Sequence, residues 1–407
     1  MKVIFLSYDG LLDPLGKSQI LPYLYKLRPN VDSMLIISFE KRELIQSENF
    51  TNLSKYLSDK NIIWQHQTFT SSGFIFFKIF DVIKFYKAFI LNCINFKPTL
   101  VHARGHPMAM FANSLKKFFN FKLLFDYRGM WPDEKITKGT WNNSSLLDKM
   151  QYKFFKHQES KLLKSSDHII FLTNKIRNHF KKHYLNIDEY SSVIPCAADY
   201  CFFKPSEDLL KKNILLNKLG LKDQLVLGYL GSVGPLYDFE GYLNMIELSY
   251  KKGIKLRGLV LTNNLTEAEH QIDKKKILKE KNLIKCLSLS REEIPRHLEL
   301  FNFLVSFCKI SNSIVGASPT KIGESLSLGI PVIANSGIGD TDNIISSTNS
   351  GIIIKDTSIK NLDGCLKKIF NFHPEKKVIR EKSRRFFDLE NAADVYITIY
   401  RELNLHN

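Results

Sequence analysis

The segment 318–324 (S-P-T-K-I-G-E) combines residue types that suit the binding of a phosphate. Ser318 is a typical N-cap and Pro319 suits the first helical position, so the spacing predicts that a helix begins here. The free amides and the positive end of the helix dipole attract an anion. Lys321 falls in the first turn, where a cation is unfavourable unless an anion is bound, and Glu324 lies on the same helix face. This arrangement favours a site for a phosphate and an adjacent ribose, and a solvated Lys–Glu pair is the equally weighted alternative.

A second candidate lies near the N-terminus, where the apolar run 3–7 leads into a loop that contains glycine. Ser18 is placed to cap the following helix, and Gly16, just before it, would let a ligand approach the backbone closely. The helix start would again direct free amides towards an anion. Gly16 is therefore a candidate binding residue, and an ordinary turn between a strand and a helix is the alternative.

A third candidate is a loop dense in charge and aromatic rings, which follows the apolar run 123–127. Aromatic faces with interleaved acids and an arginine able to form two parallel hydrogen bonds suit a polar, ring-shaped ligand such as a sugar. Loop charges are commonly just solvated, which is the alternative here. The candidate residues are Asp126, Arg128, Trp131, Asp133 and Glu134.

No residue spacing indicates a metal site. His102 and His106 are four residues apart, but a neighbouring glycine and proline argue against a helix that would direct both side chains at one ion. Asp340 and Asp342 match a D-x-D pattern that binds metals in some enzymes. Because they follow two glycines, a loop that leads into a capped helix explains them better. We therefore expect no metal.

The elements that would position these segments alternate between short apolar runs and amphipathic stretches, as in βαβ units around a parallel sheet. The pattern restarts after residue 220, which predicts two doubly wound, Rossmann-like α/β domains that face each other across a cleft. We expect domains at 1–200 and 201–375, a hinge at 194–205, and a helix at 376–407 that packs back on the first domain. The predicted strands are 3–7, 34–39, 100–102, 123–127 and 168–173, then 225–230, 256–262, 303–307, 331–335 and 351–355.

The composition narrows the classes of partner. The 407 residues include 58 Lys and Arg against 41 Asp and Glu, a net charge of +17 that favours phosphates, nucleic acid or an acidic membrane face. The positive charge is spread along the chain, which disfavours nucleic acid. The six cysteines are scattered, and no apolar stretch approaches the ~18 residues that span a bilayer. With no signal-peptide pattern, we expect a cytoplasmic protein that binds the inner face of the cell membrane peripherally.

The stretch 74–92 is rich in Phe and Ile, yet polar residues recur in it every three positions, at Lys78, Asp81, Lys84 and Lys87. This spacing gives a helix a polar stripe. A helix that covers the sheet is favoured over one that lies on a membrane surface, although basic amphipathic helices can do either.

Taken in order along nearly the whole chain, these segments resemble the family 4 glycosyltransferases. The resemblance is carried by residues 7–19, 125–134, 193–199, 318–326 and 329–335. It implies a GT-B fold, metal independence and sugar transfer with retention of the anomeric configuration. It also implies that the second domain holds a nucleotide sugar as co-substrate, without any other cofactor. The first domain would bind a glycan or a lipid-linked acceptor, in the synthesis of a surface polysaccharide.

Two departures from the family pattern affect the donor site. The E-x7-E motif should place its first glutamate eight residues before Glu324, where the chain has Gly316. A phosphate-binding arginine and lysine should follow the first strand of the second domain, where Ser232 and Glu240 stand instead. The missing cationic clamp leaves open whether the donor carries one phosphate or two. It also leaves open a second class of function, a catalytically weak scaffold subunit in a glycan-assembly complex.

The resemblance and the residues together assign roles. By matching position, Glu324 would bind the ribose and Gly16 would lie near the donor phosphates. We predict that Lys321 and the helix amides around Thr320 stabilise the leaving phosphate in place of the clamp. The predicted catalytic residues are Asp126, Arg128 and Lys321; the donor-binding residues are Gly16, Ser318, Thr320, Lys321 and Glu324; the acceptor-binding residues are Trp131, Asp133 and Glu134.

Overall fold

The computed structural model describes residues 1–68, 75–142 and 144–405, with only the backbone for 75–80. The chain forms two compact units, residues 1–195 together with 389–407, and residues 196–388. Each unit is built on one parallel sheet with helices between successive strands. The prediction of two doubly wound α/β domains is therefore confirmed.

The first unit contains a seven-stranded sheet in the order β3-β2-β1-β4-β5-β6-β7, in which every neighbouring pair is parallel. The strand order changes direction between β1 and β4, and ligands of open α/β sheets bind beyond the carboxyl ends of the strands at such a point. The strands are β1 Lys2–Ser7, β2 Ser33–Glu40, β3 Ile62–Thr68, β4 Leu100–Arg104, β5 Lys122–Tyr127, β6 His168–Phe171 and β7 Ser191–Val193.

Helices that follow these strands cover the sheet of the first unit. They are α1 Pro14–Gln19, α2 Leu21–Leu27, α3 Arg42–Ile45, α4 Glu48–Asp59, α5 Ile75–Phe96, α6 His106–Phe119, α7 Trp131–Thr137, α8 Leu146–Ser165 and α9 Asn174–Lys181. The predicted amphipathic helix 74–92 corresponds to α5, although Phe74 lies outside the described residues. The buried side chains of Phe85 and Phe89 lie on α5, while Lys84 and Lys87 are exposed. No helix in the described part of the chain is long and apolar enough to cross a membrane.

The second unit contains a six-stranded parallel sheet in the order β10-β9-β8-β11-β12-β13, which changes direction between β8 and β11. Its strands are β8 Leu225–Leu230, β9 Leu256–Leu261, β10 Ile284–Leu287, β11 Phe303–Ser306, β12 Val332–Asn335 and β13 Gly351–Ile354. Its helices are α10 Leu209–Lys218, α11 Phe239–Lys251, α12 Leu265–Asp273, α13 Lys276–Glu280, α14 Ile294–Leu298, α15 Thr320–Ser327, α16 Thr341–Thr348, α17 Ile359–Ile369 and α18 Lys376–Phe387.

The C-terminal stretch, predicted as one helix at 376–407, forms two helices that belong to different units. Helix α18 packs against α15 in the second unit, whereas α19 (Leu389–Leu405) packs against α2 in the first. The Arg380 side chain of α18 donates to the carbonyl oxygens of Tyr200 and Phe203, each at 2.7 Å, and to that of Ser327. Through Arg380, α18 connects the end of α15 to the first residues of the second unit.

Candidate functional site

The predicted helix start at 318–324 is α15, but it begins one residue later than expected. Thr320 is its first residue and Pro319 occupies the N-cap position, which offers no side-chain acceptor. Ser318 was predicted as the cap; its hydroxyl instead accepts a hydrogen bond from the Cys196 amide at 3.1 Å. The capping prediction for Ser318 was wrong because the hydroxyl is used for a tertiary contact.

Lys321 is buried at the start of α15, with 4% of its surface exposed. Among the described residues its Nζ atom has no hydrogen-bond partner, although buried polar groups normally have one. Two aromatic rings surround the ammonium, with centroids 3.8 Å away in Tyr237 and 4.7 Å away in Tyr229. Burial lowers the pKa of Lys321 to about 8, because the ammonium form loses its hydration.

The Lys321 ammonium lies where the strand order of the second sheet changes direction. A Cβ atom built on Gly231, the residue that follows β8, would lie 3.7 Å from Nζ. Tyr237 forms an isolated bridge with Cys308, just after β11. Asn335 at the end of β12 fixes the Cys308 peptide, accepting from its amide at 2.8 Å and donating to its carbonyl at 3.1 Å. Nζ therefore sits beyond the carboxyl ends of β8 and β11, where ligands of this sheet type bind.

Glu324 lies one turn further along α15, and 3% of it is exposed. One carboxylate oxygen, Oε1, accepts from Arg291 at 2.6 Å, and the Arg291 guanidinium packs over the ring of Phe203 at 4.9 Å. Within the part of the chain that the structure describes, Oε2 makes no hydrogen bond. Arg291 thus holds the carboxylate in one orientation and leaves an oxygen available for a ligand. Arg291 lies 33 residues earlier in the chain, and no sequence pattern indicated it.

The positions at which the chain departs from the family pattern do not supply a cation. Ser232 is exposed in the loop after β8, and its carbonyl accepts from the Tyr229 hydroxyl at 2.7 Å. Glu240 is exposed in the first turn of α11. Gly316 ends a short 3-10 turn and is buried. At this point of the sheet the buried cation comes from α15 instead.

Gly16 lies inside α1 rather than before it, so the prediction that Ser18 caps this helix was wrong. Helix α1 begins at Pro14, and Ser18 donates back to the Pro14 carbonyl at 2.9 Å. A Cβ atom on Gly16 would lie 2.1 Å from the carbonyl oxygen of Gly10. The glycine is thus required by the close packing of the loop against its own helix.

The loop that α1 packs against is held by a carboxylate that the sequence did not indicate. Glu40, at the end of β2, is fully buried and accepts from the amides of Leu11 at 2.7 Å and Leu12 at 3.4 Å, and from Ser38 Oγ at 2.7 Å. Burial raises the pKa of the Glu40 carboxyl, and these donors oppose the shift only in part. A βα turn is therefore ordered by an acid from the neighbouring strand.

Asp126 and Arg128, both predicted as catalytic residues, meet at the end of β5, and the aspartate is 2% exposed. Its oxygens lie 3.4 Å from Arg104 Nη1, 3.5 Å from Arg128 Nη1 and 3.7 Å from His102 Nε2. Burial alone would raise the pKa of Asp126, but Arg128, His102 and Arg104 outweigh it and hold that pKa well below its usual range. The His102 ring is fixed by the Tyr400 hydroxyl of α19, 2.7 Å from Nδ1. Asp126 is thus an ionised group that orients two arginines at the carboxyl ends of β4 and β5.

Trp131 packs into an aromatic cluster at the start of α7. Its ring meets Phe155 of α8 edge-on at 4.9 Å and Trp141 at 5.6 Å, and it stacks on His106 at 6.2 Å. The ammonium of Lys135 lies 5.2 Å from the same ring. These contacts make Trp131 a structural anchor of the loop.

Asp133 and Glu134, the other predicted acceptor-binding residues, are both engaged by neighbours. Asp133 accepts from the Tyr152 hydroxyl at 2.9 Å and from Lys156 Nζ at 3.2 Å, which attaches α7 to α8. Glu134 pairs with Lys138 at 3.0 Å on the partly exposed surface of α7. Asp133 therefore serves to position the loop, and Glu134 is the more accessible of the two acids.

Asp340 and Asp342 lie at the start of α16, as expected for a loop that leads into a helix. The Asp342 carboxylate accepts from Ser336 Oγ at 2.9 Å and from the Gly337 amide at 3.0 Å, which are the contacts of a loop that closes on its helix. Among the residues described, no group of three or more His, Cys, Asp or Glu side chains has the arrangement to hold a metal ion.

Comparison with solved structures places the fold among glycosyltransferases. Anabaena Alr3699/HepE, in a complex with UDP, has a TM-score of 0.70 and 15% identity over 99% of this chain and 100% of that one. A glycosyltransferase from Rickettsia africae ESF-5 has a TM-score of 0.72 and 17% identity over 99% and 98%. WaaG, a glycosyltransferase involved in lipopolysaccharide biosynthesis, has a TM-score of 0.65 and 14% identity over 98% and 99%. No family model and no curated protein matches the chain. At these identities the likeness establishes the fold, which is GT-B.

Proposed function

We propose that this protein is a glycosyltransferase that moves a sugar from a nucleotide sugar to a hydroxyl group of a glycan or a lipid-linked acceptor. The observation that carries the proposal is the buried, unpartnered ammonium of Lys321 at the switch point of the second sheet. A buried cation without a partner is unfavourable unless an anion completes the site. A donor phosphate would supply that anion.

The first turn of α15 supplies the other donor contacts. The amides near Thr320 point out of the helix start and carry its positive partial charge, so a phosphate there would meet both the amides and the Lys321 ammonium. Glu324 lies on the same helix with Oε1 held by Arg291, and its second oxygen is suited to accept hydrogen bonds from ribose hydroxyls. A phosphate and a ribose side by side describe a nucleotide.

The neighbours of known structure support the same class of donor. Anabaena Alr3699/HepE, which shares the fold over the full length, was solved with UDP, with UDP and glucose, and with UDP-glucose. We extend the nucleotide-sugar donor to this chain as part of the proposal, together with a role in surface polysaccharide assembly.

The mechanism that fits these groups is front-side displacement with retention, without a metal. The acceptor oxygen forms a bond to the anomeric carbon while the bond from that carbon to the phosphate oxygen breaks on the same face, and the acceptor proton passes to the departing phosphate. Negative charge grows on the phosphate as the bond breaks. Lys321 and the α15 amides stabilise that charge more in the transition state than in the bound donor, which is the condition for lowering the barrier.

Acceptor binding is assigned to the carboxyl ends of β4 and β5. Arg104 and Arg128 lie there with Asp126 between them, and Glu134 is the accessible acid of the adjoining loop. Two guanidinium groups at one sheet edge suit an acceptor that carries a phosphate or a carboxylate. Asp126 acts as a positioning residue, because the arginines and His102 surround its carboxylate.

Lys321→Ala tests the proposal, with Lys309→Ala as the matched control because Lys309 is exposed three residues after β11. Turnover of a panel of nucleotide sugars should fall at least about a hundredfold in the first variant, as for the loss of an oxyanion-stabilising donor, and stay normal in the second. Glu324→Gln should weaken donor binding by about tenfold, the effect of losing a charged hydrogen bond. Near-normal turnover in the Lys321 variant would contradict the assignment.

A thermal-shift series with free nucleoside mono- and diphosphates separates the enzyme from the scaffold alternative. A nucleotide at 100 times its Kd should stabilise the wild-type protein by about 2.7 kcal/mol. The same series indicates how many phosphates the site accepts. A protein that responds to none of these nucleotides would instead fit the scaffold, which the loss of the cationic clamp at Ser232 and Glu240 favours.

A further inference from the structure

The first three turns of α8 expose four large apolar side chains. Leu146, Leu147, Met150 and Phe154 leave 77%, 70%, 67% and 51% of their surfaces exposed. Positions 146, 150 and 154 follow one another at intervals of four, and 147 lies beside them, so the four side chains share one face of the helix. We call this face the apolar stripe.

The apolar stripe is confined to the N-terminal half of α8. In the C-terminal half the same outward face carries His157, Lys161 and Lys164, all exposed, while Leu162 and Leu163 are buried on the opposite side. The outer surface of one helix therefore changes from apolar to basic along its length. Contiguous exposed apolar side chains of this kind are typical of an interaction site rather than of a solvated helix.

The inner face of the same three turns holds the loop that we assign to the acceptor. Tyr152 and Lys156 bind the Asp133 carboxylate, and Phe155 packs against the Trp131 ring. The apolar stripe and the acceptor loop therefore lie on opposite sides of one helix, about 10 Å apart. Whatever docks on the stripe is held close to that loop.

Two lysines are interleaved with the apolar stripe. Lys149 and Lys153 are exposed, and neither forms an ion pair with any residue that the structure describes. Lysine is depleted in the cores of protein–protein interfaces, where its desolvation is costly. Lysines that alternate with Leu, Met and Phe instead suit the boundary between lipid headgroups and acyl chains.

We propose that the apolar stripe, flanked by Lys149 and Lys153, docks α8 on the surface of an anionic lipid bilayer. The apolar side chains enter the boundary between headgroups and acyl chains while the two ammonium groups meet the lipid phosphates. The net charge of +17 adds a long-range attraction to the same surface. The docking goes beyond the proposed transferase activity and can fail while that activity stands. If the docking and the transferase activity both hold, the acceptor is a membrane-borne molecule that binds beside the α7 loop.

Vesicle sedimentation tests the docking surface. The full-length protein is mixed with vesicles of phosphatidylcholine alone or of phosphatidylcholine with phosphatidylglycerol, and the bound fraction is measured. Wild type should bind the anionic vesicles far better. Because each lysine near an anionic surface contributes about fivefold, the double variant Lys149→Glu with Lys153→Glu should lose at least about twenty-five-fold on those vesicles. Leu147→Ser with Met150→Ser should lose at least tenfold, since about two side chains no longer leave water.

The matched control is Lys222→Glu with Lys360→Glu, which makes the same charge change at two exposed lysines of the second unit. It should reduce vesicle binding much less than the reversal at Lys149 and Lys153. Nucleotide-induced thermal shifts in all variants should equal the wild-type shift, which separates this test from that of the donor site. Equal losses in both charge variants, or no binding of wild type to anionic vesicles, would overturn the proposal. The proposal would also be overturned if the wild-type protein associated with itself in the absence of lipid and the double variant Leu147→Ser with Met150→Ser did not.

Discussion

Replacing Lys321 by Met should stabilise the free protein while it removes nucleotide binding. The ammonium is buried without a hydrogen-bond partner in the described residues, and its surroundings are the rings of Tyr229 and Tyr237. A methionine fills nearly the same space and carries no charge that needs hydration. A residue that binds a ligand at a cost in stability should give this result, a more stable protein that no longer binds the ligand, when it is replaced.

The size and the sign of the effect follow from the pKa of Lys321, which burial lowers from 10.5 to about 8. This displacement corresponds to about 3 kcal/mol, and the two cation–π contacts limit the gain from removing the charge to about 1 to 3 kcal/mol. Below pH 8 the lysine is protonated in both states, so the full destabilisation is present. Between pH 8 and 10.5 only the unfolded chain binds the proton, so the wild-type protein gains stability as the pH rises.

Hydrogen–deuterium exchange of β8 and β11 measures the opening free energy next to this lysine. The Lys321→Met variant should exchange more slowly than wild type at about pH 7, and the two should approach each other by about pH 10 once the rates are corrected for intrinsic exchange. The Lys309→Met variant should match wild type throughout. A Lys321→Met variant that is less stable than wild type at about pH 7 would refute the reasoning, as would a difference that does not change with pH.

Two further substitutions test the framework of the first unit. Gly16→Ala should lower the free energy of unfolding by about 1 to 3 kcal/mol, because its Cβ would lie 2.1 Å from a backbone carbonyl oxygen. The control is Gly364→Ala, in a helix with open space around the glycine, which should raise the free energy of unfolding by up to about 1 kcal/mol. Urea unfolding of the pair decides whether Gly16 is required by packing. Tyr400→Phe should cost about 1 to 2 kcal/mol, because it leaves the buried Nδ1 of His102 without its hydroxyl partner. Tyr396→Phe, which keeps the ring stacked on His102, should change little; equal losses in the two tyrosine variants would contradict the assigned role of the hydroxyl.

The sequence predicted ten strands of the two sheets, and the three that it missed are all edge strands. They are β3 and β7 at the two edges of the first sheet and β10 at one edge of the second. Central parallel strands are covered on both faces and appear as continuous apolar runs, whereas edge strands are partly solvated. In β3 the apolar residues give way to polar ones after Trp64, so the run is too short to be distinguished from a loop.

The signal for the proposed donor residues Lys321 and Glu324 is local, because the sequence predicts a helix start with a cation in its first turn. The residues that surround Lys321 and Glu324 could not be predicted from the sequence. Arg291, which fixes Glu324, is 33 residues away in the chain, and Tyr237 approaches Lys321 only because its loop bridges to Cys308. For the same reason, the sequence could nominate Asp133 as a ligand of the acceptor but could not show that α8 already occupies its carboxylate.

The buried ammonium of Lys321 lies beside the loop in which the expected cationic clamp is missing. The family pattern expects a cation in the loop after β8, where this chain has the exposed Ser232. The Lys321 ammonium approaches the same loop from α15, and a Cβ built on Gly231 would lie 3.7 Å from Nζ, an ordinary van der Waals contact. A cation in the first turn of a helix acts on a bound anion together with the helix amides. At this end of the sheet the buried positive charge belongs to α15 rather than to the loop, which is why we propose that donor binding depends on Lys321.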